Sequence, residues 1–244
     1  MSDHDVVLYG SDDDALCHHV VGFVAEAIQK GGGAVVIATP DHVRAFRAAL
    51  AALSIDTNSE ILKDRLHFLD AHETLDALSL NGHVDRTRFD RVVGTLVRSL
   101  YNRYEVSAYG EMVGILRDAQ KPEEAARLET FWCELLEELS FRLVCGYPID
   151  VLSKEFHPDE MDAILCSHTK LRSLMEDHFS ASLRVATNKG SAELPQPSRR
   201  PKWAMLPDTE ATLLWLREHL PDHADDVIRY AKASGRTVPE PSFE

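Results

Sequence analysis

The sequence lacks several features that would assign it directly to a common class of protein. No apolar run approaches the ~20 residues that a transmembrane helix requires. The four cysteines form no CxxC pair, which argues against a zinc knuckle or a redox dithiol. With 26 basic and 40 acidic side chains, the net charge of −14 leaves no basic surplus for duplex DNA. We therefore expect no membrane segment and no direct nucleic-acid partner.

The first residues also lack the basic region of a secretory signal. Residues 1–5 are acidic instead, so we expect a cytoplasmic location. The length of 244 residues suits either one large domain or one domain with an appendage. An apolar content of 44% is sufficient for a sizeable hydrophobic core.

Short apolar runs alternate with helical patterns over the first 180 residues. The predicted strands lie at residues 6–9, 34–38, 66–69, 106–109 and 141–145. The predicted helices lie at residues 15–30, 39–53, 73–80, 88–101 and 113–139, with a break at 121–122 and a further helix opening at 157. This alternation predicts an α/β fold of three layers, with a mostly parallel sheet between helices on both faces.

The composition changes after residue 180, and this change divides the chain into three parts. Residues 1–180 form the predicted α/β domain, and residues 181–206, rich in proline and polar residues, form a linker or extended arm. Residues 207–244 form a short helical extension with two helices. Because such an extension is too small to fold alone, we expect it to pack on its own domain or on a partner subunit.

Candidate ligand-binding residues follow from the fold class, since ligands of open α/β sheets bind at the carboxyl ends of the strands. The side chains that stand at these ends are Tyr9, Asp12, Tyr109, Glu111, Cys145 and Tyr147. Glu111 could contact a ligand, bind a metal or act as a base, or it could only stabilise a helix N-terminus. Tyr147 suits a small, mostly apolar ligand, or it could pack against the sheet edge.

The loop after the first strand has the position of a phosphate-binding P-loop but not its residues. Aligned from Gly10, the pattern G-x-x-x-x-G-K-[ST] places Leu16 at the Lys position and Cys17 at the Ser/Thr position. The carboxylates of residues 12–14 would repel a triphosphate, and a helix cap explains them more simply. Ordinary P-loop ATP hydrolysis is therefore not expected.

No linear spacing in the sequence supports a metal site or a catalytic triad. Cys17, His18 and His19 are adjacent, and adjacent residues of a helix point about 100° apart. The other histidines, including His67 and His168, lack an H-E-x-x-H spacing, and there is no G-x-S-x-G elbow. We expect no metal, no cofactor and no catalytic residue.

Several segments nevertheless form a specific series along the chain. They are Leu8-Tyr9, Val35–His42, Phe68–Ala71, Ala108–Val113, Leu128–Trp132 and Leu143–Pro148, with His4 before them and His168 after them. In this order, over about residues 4–175, they resemble the MEDS family, a sensory domain named for methanogens, methylotrophs and the dichloromethane regulator DcmR. The Tyr-Gly-Glu-Met and Cys-Gly-Tyr-Pro segments are the most specific parts of the resemblance.

The resemblance implies a RecA/KaiC-like fold that has lost its P-loop and senses a small molecule, such as a hydrocarbon derivative, without catalysis. The sequence contains no basic helix-turn-helix and no glycine boxes of a histidine kinase. We therefore expect the signal to pass to a separate protein, a kinase, an anti-sigma factor or a transcription factor, and by analogy we expect a homodimer. The alternatives are a degenerate nucleotide-binding protein, a nucleotide-dependent enzyme that uses Glu111, and a structural adaptor without a ligand.

Overall fold

A six-stranded parallel sheet forms the centre of the fold. The computed structural model describes residues 3–10, 12–59, 61–150, 153, 164, 168–174 and 208–235. The strands, in chain order, are β1 (Asp3–Leu8), β2 (Gly33–Ala38), β3 (Leu66–Asp70), β4 (Ser79–Leu80), β5 (His83–Val84), β6 (Val106–Gly110), β7 (Arg142–Tyr147) and β8 (Lys170–Ser173). The sheet order is β3-β2-β6-β7-β1-β8 with parallel pairing throughout, and β4 and β5 form a separate hairpin. The predicted α/β fold is therefore confirmed.

Several helices begin where the sequence supplies a capping side chain. The helices are α1 (Asp13–Gln29), α2 (Pro40–Ala52), α3 (Ala71–Leu78), α4 (Arg86–Phe89), a π-helical segment (Asp90–Gly94), α5 (Thr95–Tyr101), α6 (Met112–Asp118), α7 (Pro122–Glu138), α8 (Asp208–His219) and α9 (Pro221–Gly235). Asp12, Thr39 and Asp70 cap α1, α2 and α3 by accepting hydrogen bonds from backbone N–H groups of the first turn. These caps fix each helix directly after, or shortly after, the preceding strand.

The side chains of the central strands alternate between two hydrophobic layers. In β2, Val35 and Ile37 pack with α3, α5, α6 and α7, whereas Ala34 and Val36 pack with α1 and α2. The whole of β2 is buried, as expected for a strand covered on both faces. Helices therefore cover both faces of the sheet, in agreement with the predicted three layers.

The C-terminal helices contribute to the larger of these two layers. Leu213, Leu214 and Leu216 of α8 and Ile228 of α9 are buried in the same core cluster as Leu171 of β8. The apolar face of α8 therefore packs on the domain itself, which was one of the two expected arrangements.

The structure differs from the sequence prediction in several elements. Strand β8 and the β4–β5 hairpin were not predicted, and β7 continues past Cys145 to Tyr147. The predicted helix opening at residue 157 and the predicted linker at residues 181–206 lie outside the described residues. Within the described part of the chain, no helix is long and apolar enough to cross a membrane.

Candidate functional site

Five of the six side chains predicted at the strand ends are divided between the two faces of the sheet. Tyr9 and Tyr109 belong to the layer of α1 and α2, and Glu111 bonds to residues of that layer. Cys145 and Tyr147 belong to the layer of α6 and α7. The sheet separates the two groups, so they form two sites. We call them the strand-end cluster (Tyr9, Asp13, His42, Tyr109, Glu111) and the buried cluster (His4, Glu129, Cys145, Tyr147, His168).

Glu111 is the centre of the strand-end cluster. It follows β6 directly, and only 2% of its surface is exposed. Its Oε2 accepts a hydrogen bond from the Thr39 N–H at 2.8 Å, and its Oε1 accepts one from the Tyr109 hydroxyl at 2.9 Å. The carboxylate makes no capping bond to its own helix α6. Glu111 therefore joins the ends of β2 and β6 to the start of α2.

His42 compensates the charge of the buried Glu111 carboxylate. Its Nδ1 lies 2.7 Å from Glu111 Oε1, and its Nε2 lies 3.3 Å from Asp13 Oδ1. The hydrogen bond to Glu111 raises the pKa of His42 above its ordinary value, against the opposing effect of burial. Carboxylates on both sides of the ring favour the imidazolium form.

The two tyrosines of the strand-end cluster have raised pKa values, so both remain neutral phenols. Burial, reinforced by the Glu111 charge, raises the pKa of Tyr109 and of Tyr9. The ring of Tyr9 packs edge-on against His42, with centroids 5.9 Å apart. Tyr9 thus covers the histidine at the carboxyl edge of the sheet.

Asp12 has a different role from the other predicted residues. Its Oδ1 accepts a hydrogen bond from the Ala15 N–H at 2.8 Å, which confirms the predicted helix cap. The neighbouring Asp13 is the residue that faces His42. The carboxylate of Asp12 therefore occupies the N-terminus of α1.

The buried cluster lies between β1, β7, α7 and the segment before β8. His4 Nε2 is 3.4 Å from Cys145 Sγ and 3.5 Å from Glu129 Oε2. His168 Nε2 is 3.4 Å from Glu129 Oε1, and the rings of His4 and His168 have centroids 4.1 Å apart. The Tyr147 hydroxyl donates to Glu129 Oε1. Five polar side chains therefore meet inside an otherwise apolar layer.

Burial controls the protonation of this cluster. It raises the pKa of the Cys145 thiol and of the Tyr147 phenol well above their ordinary values. Burial also raises the pKa of Glu129, and His168 and the Tyr147 hydrogen bond oppose this effect. Because burial raises its pKa, Cys145 is a thiol and not a thiolate. The thiol form is unreactive as a nucleophile.

Sequence reasoning did not identify five residues of the two clusters as site residues, namely Asp13, His42, His4, Glu129 and His168. His42 lies in a strand-end segment, so the rule that selected Glu111 could have selected it. Glu129 lies on α7 between the buried Leu128 and Trp132, and a carboxylate on an apolar helical stripe was a usable signal. His4 and His168 carried no such local signal, because they meet only in the folded protein.

A cavity of about 420 Å³ lies at the carboxyl end of β7, beside the buried cluster. Its lining includes Arg117, Asp118, Pro122, Tyr147, Ile149 and Asp150. Another cavity, of about 550 Å³, lies on the α1 face near β8, and none of the six predicted residues lines it. The cavity at β7 therefore combines a predicted site residue with space for a ligand.

Comparison with known families gives a match over most of the chain. The family described as MEDS, "MEthanogen/methylotroph, DcmR Sensory domain", matches residues 3–169, about two thirds of the 244 residues. A comparison with curated proteins finds no significant match. The matched range contains both clusters and the described lining of the cavity at β7.

Proposed function

The chain belongs to the MEDS family of sensory domains, and we propose that it senses a small organic molecule bound at the carboxyl end of β7. In this proposal the ligand is bound without chemical conversion. It combines apolar and polar groups, as a hydrocarbon derivative does. Binding changes a contact with a signalling protein, or between two copies of the chain.

The cavity of about 420 Å³ is the observation that carries this proposal. Its volume is in the range of ~300–1,000 Å³ that is typical of small-molecule sites. Pro122 and Ile149 supply apolar surface, and Arg117, Asp118 and Asp150 supply charge. Such a mixed lining suits a ligand with a hydrocarbon part and a polar group.

The position of the cavity supports a relay to the rest of the domain. Its walls come from α6, from the turn into α7 and from the segment after β7. Tyr147 lines the cavity and donates its hydroxyl to Glu129 of α7. A ligand that moves Tyr147 or α6 would therefore change the packing of α7. For this change to report the ligand, the ligand must bind one packing state of α7 more tightly than the other.

The strand-end cluster favours the sensing of a small organic molecule over nucleotide binding. In P-loop proteins the phosphates bind at the N-terminus of the first helix. Here Asp12 caps that N-terminus with its own carboxylate, and Asp13 lies beside it. A phosphate would meet negative charge at the place where P-loop proteins provide a lysine.

A thermal-shift panel tests the proposal directly. The purified chain is heated with short-chain alcohols, ketones, carboxylic acids and haloalkanes, and separately with ATP and ADP in the presence of Mg²⁺. We expect at least one organic compound to raise the melting temperature. A ligand at 100 times its Kd stabilises a protein by about 2.7 kcal/mol.

A matched pair of variants locates the binding site. Ile149→Trp fills the cavity and should abolish the shift, whereas Ile61→Trp adds the same ring at a position that is 78% exposed and should preserve it. A shift that survives Ile149→Trp would contradict the proposed site. A shift with Mg²⁺-nucleotides alone would favour nucleotide binding, and no shift with any compound would favour an adaptor.

A further inference from the structure

Four side chains of the buried cluster are types that bind transition metals. They come from different parts of the chain: His4 from β1, Glu129 from α7, Cys145 from β7 and His168 from the segment before β8. One ligand atom from each lies within 4.8 Å of the other three. All four residues are buried, with 2% to 7% of their surfaces exposed.

We propose that His4, Glu129, Cys145 and His168 together bind one divalent transition-metal ion, with Zn²⁺ as the preferred ion. The proposal goes beyond the sensory function and does not depend on it. It also revises the expectation, drawn from linear spacing, that the chain holds no metal. The following geometry, ring orientation and charge support it.

The distances between the ligand atoms suit tetrahedral coordination. Zinc binds nitrogen and oxygen at about 2.0–2.2 Å and sulfur at about 2.3 Å, which places tetrahedral ligands about 3.3–3.7 Å apart. His4 Nε2 lies 3.4 Å from Cys145 Sγ and 3.5 Å from Glu129 Oε2. His168 Nε2 lies 3.4 Å from the other oxygen of the same carboxylate, Glu129 Oε1, which also accepts from the Tyr147 hydroxyl. All four ligand atoms lie within 4.8 Å of one another, so a contraction of about 1 Å in the widest pairs would complete the coordination sphere.

The orientation of His168 is the one that metal ligation requires. Its Nδ1 lies 2.7 Å from the Ile164 carbonyl oxygen, and since a carbonyl only accepts, Nδ1 carries the hydrogen. In the neutral ring, Nε2 then presents its lone pair toward Glu129. Metal-binding histidines commonly donate their other ring N–H to a backbone carbonyl, because this hydrogen bond fixes the tautomer and the ring orientation.

The hydrogen bonding and the charge around Glu129 also suit a bound metal ion. Its Oε1 accepts the Tyr147 hydroxyl hydrogen, while its Oε2 accepts no hydrogen bond from the described residues. When Zn²⁺ binds, the Cys145 thiol releases its proton to solvent and becomes a thiolate ligand. The two negative charges of Cys145 and Glu129 then balance the charge of the ion. A neutral assembly avoids the cost of an unpaired buried charge.

The ligand set favours zinc among the common divalent ions. Mg²⁺ and Ca²⁺ prefer sites made of oxygen atoms alone. A tetrahedral set of thiolate, imidazole and carboxylate ligands is typical of Zn²⁺. Because all four ligands are side chains of the protein, the site has the closed form that is characteristic of structural zinc.

Metal reconstitution of the full chain tests this inference. The protein is dialysed against a chelator and then titrated with Co²⁺, which replaces Zn²⁺ and reports its ligands by absorption. We expect one ion per chain, intense visible bands of tetrahedral Co²⁺ and a thiolate charge-transfer band in the near ultraviolet. Zn²⁺ should displace Co²⁺ and remove these bands. A titration without the thiolate band, or without saturable binding, would overturn the proposal.

Three variants test the assignment. One removes a proposed ligand, one removes a hydrogen bond to a ligand, and one is the control. Cys145→Ser should remove the charge-transfer band and lower the Zn²⁺ affinity by more than about 100-fold, the upper range for losing an outer-shell partner. Tyr147→Phe keeps all four ligands and should lower the affinity by about 10–100-fold. Cys17→Ser, on the opposite face of the sheet, should bind metal as the original chain does. Equal affinity of Cys145→Ser and Cys17→Ser would overturn the assignment.

The spectrum of the original chain keeps the test decisive if Cys145→Ser does not fold. A hydrogen-bonded cluster without a metal would give no absorption change on addition of Co²⁺. The melting temperature provides a second readout, since an ion that binds only the folded chain must raise it. Reconstitution without any rise in the melting temperature would count against a site inside the folded domain.

Discussion

Gly146 and Tyr109 lie on the neighbouring strands β7 and β6, and the glycine provides the space that the tyrosine ring occupies. A Cβ atom on Gly146 would lie 2.3 Å from the Tyr109 hydroxyl oxygen and 3.0 Å from its Cζ. The same hydroxyl donates to the buried Glu111. The absence of one side chain on β7 therefore allows the hydrogen bonding of the strand-end cluster.

Gly146→Ala should destabilise the protein by about 1–3 kcal/mol, the usual cost of overpacking a core. The added methyl group must displace the Tyr109 ring, which is buried and cannot move into solvent. Urea denaturation followed by circular dichroism measures this change.

The control is Gly22→Ala on an exposed face of α1, where a Cβ would meet nothing within 4 Å. This control should stabilise the helix by about 0.5–1 kcal/mol. Equal effects of the two substitutions would contradict the close contact.

The His42–Glu111 pair should make stability depend on pH. The pKa of His42 is raised in the folded state, so the folded protein binds its proton more tightly than the unfolded chain. The stabilisation is complete below the ordinary value of 6.5 and is lost as the pH rises through the folded pKa. The slope in this window is at most about 1.4 kcal/mol per pH unit. The melting temperature of the original chain minus that of His42→Gln should therefore fall with rising pH.

A second histidine variant gives the control for this pH experiment. His72 is exposed on α3, and the carboxylate of Glu111 bonds instead to Thr39, His42 and Tyr109. The melting temperature of the original chain minus that of His72→Gln should not fall as the pH rises, whereas the corresponding difference for His42→Gln should fall. A decline of equal size for both variants would show that the Glu111 contact is not its cause.

Glu124 should stabilise the β4–β5 hairpin against α7. Its Oε2 accepts from the Val84 N–H at 2.6 Å, and its Oε1 lies 2.7 Å from His83 Nδ1. The His83 contact lowers the pKa of Glu124, so this stabilisation is present above the ordinary carboxyl pKa and is lost as the pH falls through the folded value. Glu124→Gln should cost about 1–2 kcal/mol near neutral pH.

The neighbouring glutamate tests whether the effect of Glu124→Gln is local. Glu123 occupies the same first turn of α7 but is exposed. Glu123→Gln should change the free energy of unfolding by no more than about 0.5 kcal/mol. Hydrogen exchange at the Val84 amide should be faster in Glu124→Gln and unchanged in Glu123→Gln. Unchanged exchange in both variants would contradict the role of the carboxylate.

The C-terminal helices should unfold together with the sheet. Leu214 of α8 is 1% exposed and shares the core of β1 and β7. Leu214→Ala should therefore cost about 2–5 kcal/mol in one cooperative urea transition. Leu220→Ala, at a position that is 36% exposed, should cost about 0.5 kcal/mol or less. A separate early transition for α8 would contradict the shared core.

Much of the fold could be predicted because its signals are local. The continuous apolar run of β2 and the caps Asp12 and Thr39 are each contained in a few neighbouring residues. Strand β8 was missed because its single buried residue, Leu171, stands between Lys170 and Arg172 at the sheet edge. So short a pattern does not distinguish an edge strand from a loop.

The strand-end cluster was partly predictable, and in the buried cluster the sequence selected Cys145 and Tyr147 but not the residues that surround them. Glu111 follows a strand, and the rule for open sheets therefore selects it. Glu129 and His168 lie close together only because α7 and the segment before β8 both pack beside β1. Linear spacing reveals metal ligands when they share one helix or loop. Here the four proposed ligands come from four separate parts of the chain.

The position of β1 between β7 and β8 affects the protein during synthesis. Strand β1 is translated long before both of its hydrogen-bonding neighbours, β7 and β8. At about 5–20 residues per second, the wait for β7 lasts on the order of ten seconds. Throughout this time Val6, Val7 and Leu8 form an unpaired apolar segment outside the ribosome, the kind of segment that chaperones bind and that otherwise aggregates. We therefore expect β1 to be a segment that chaperones protect until β7 has been synthesised.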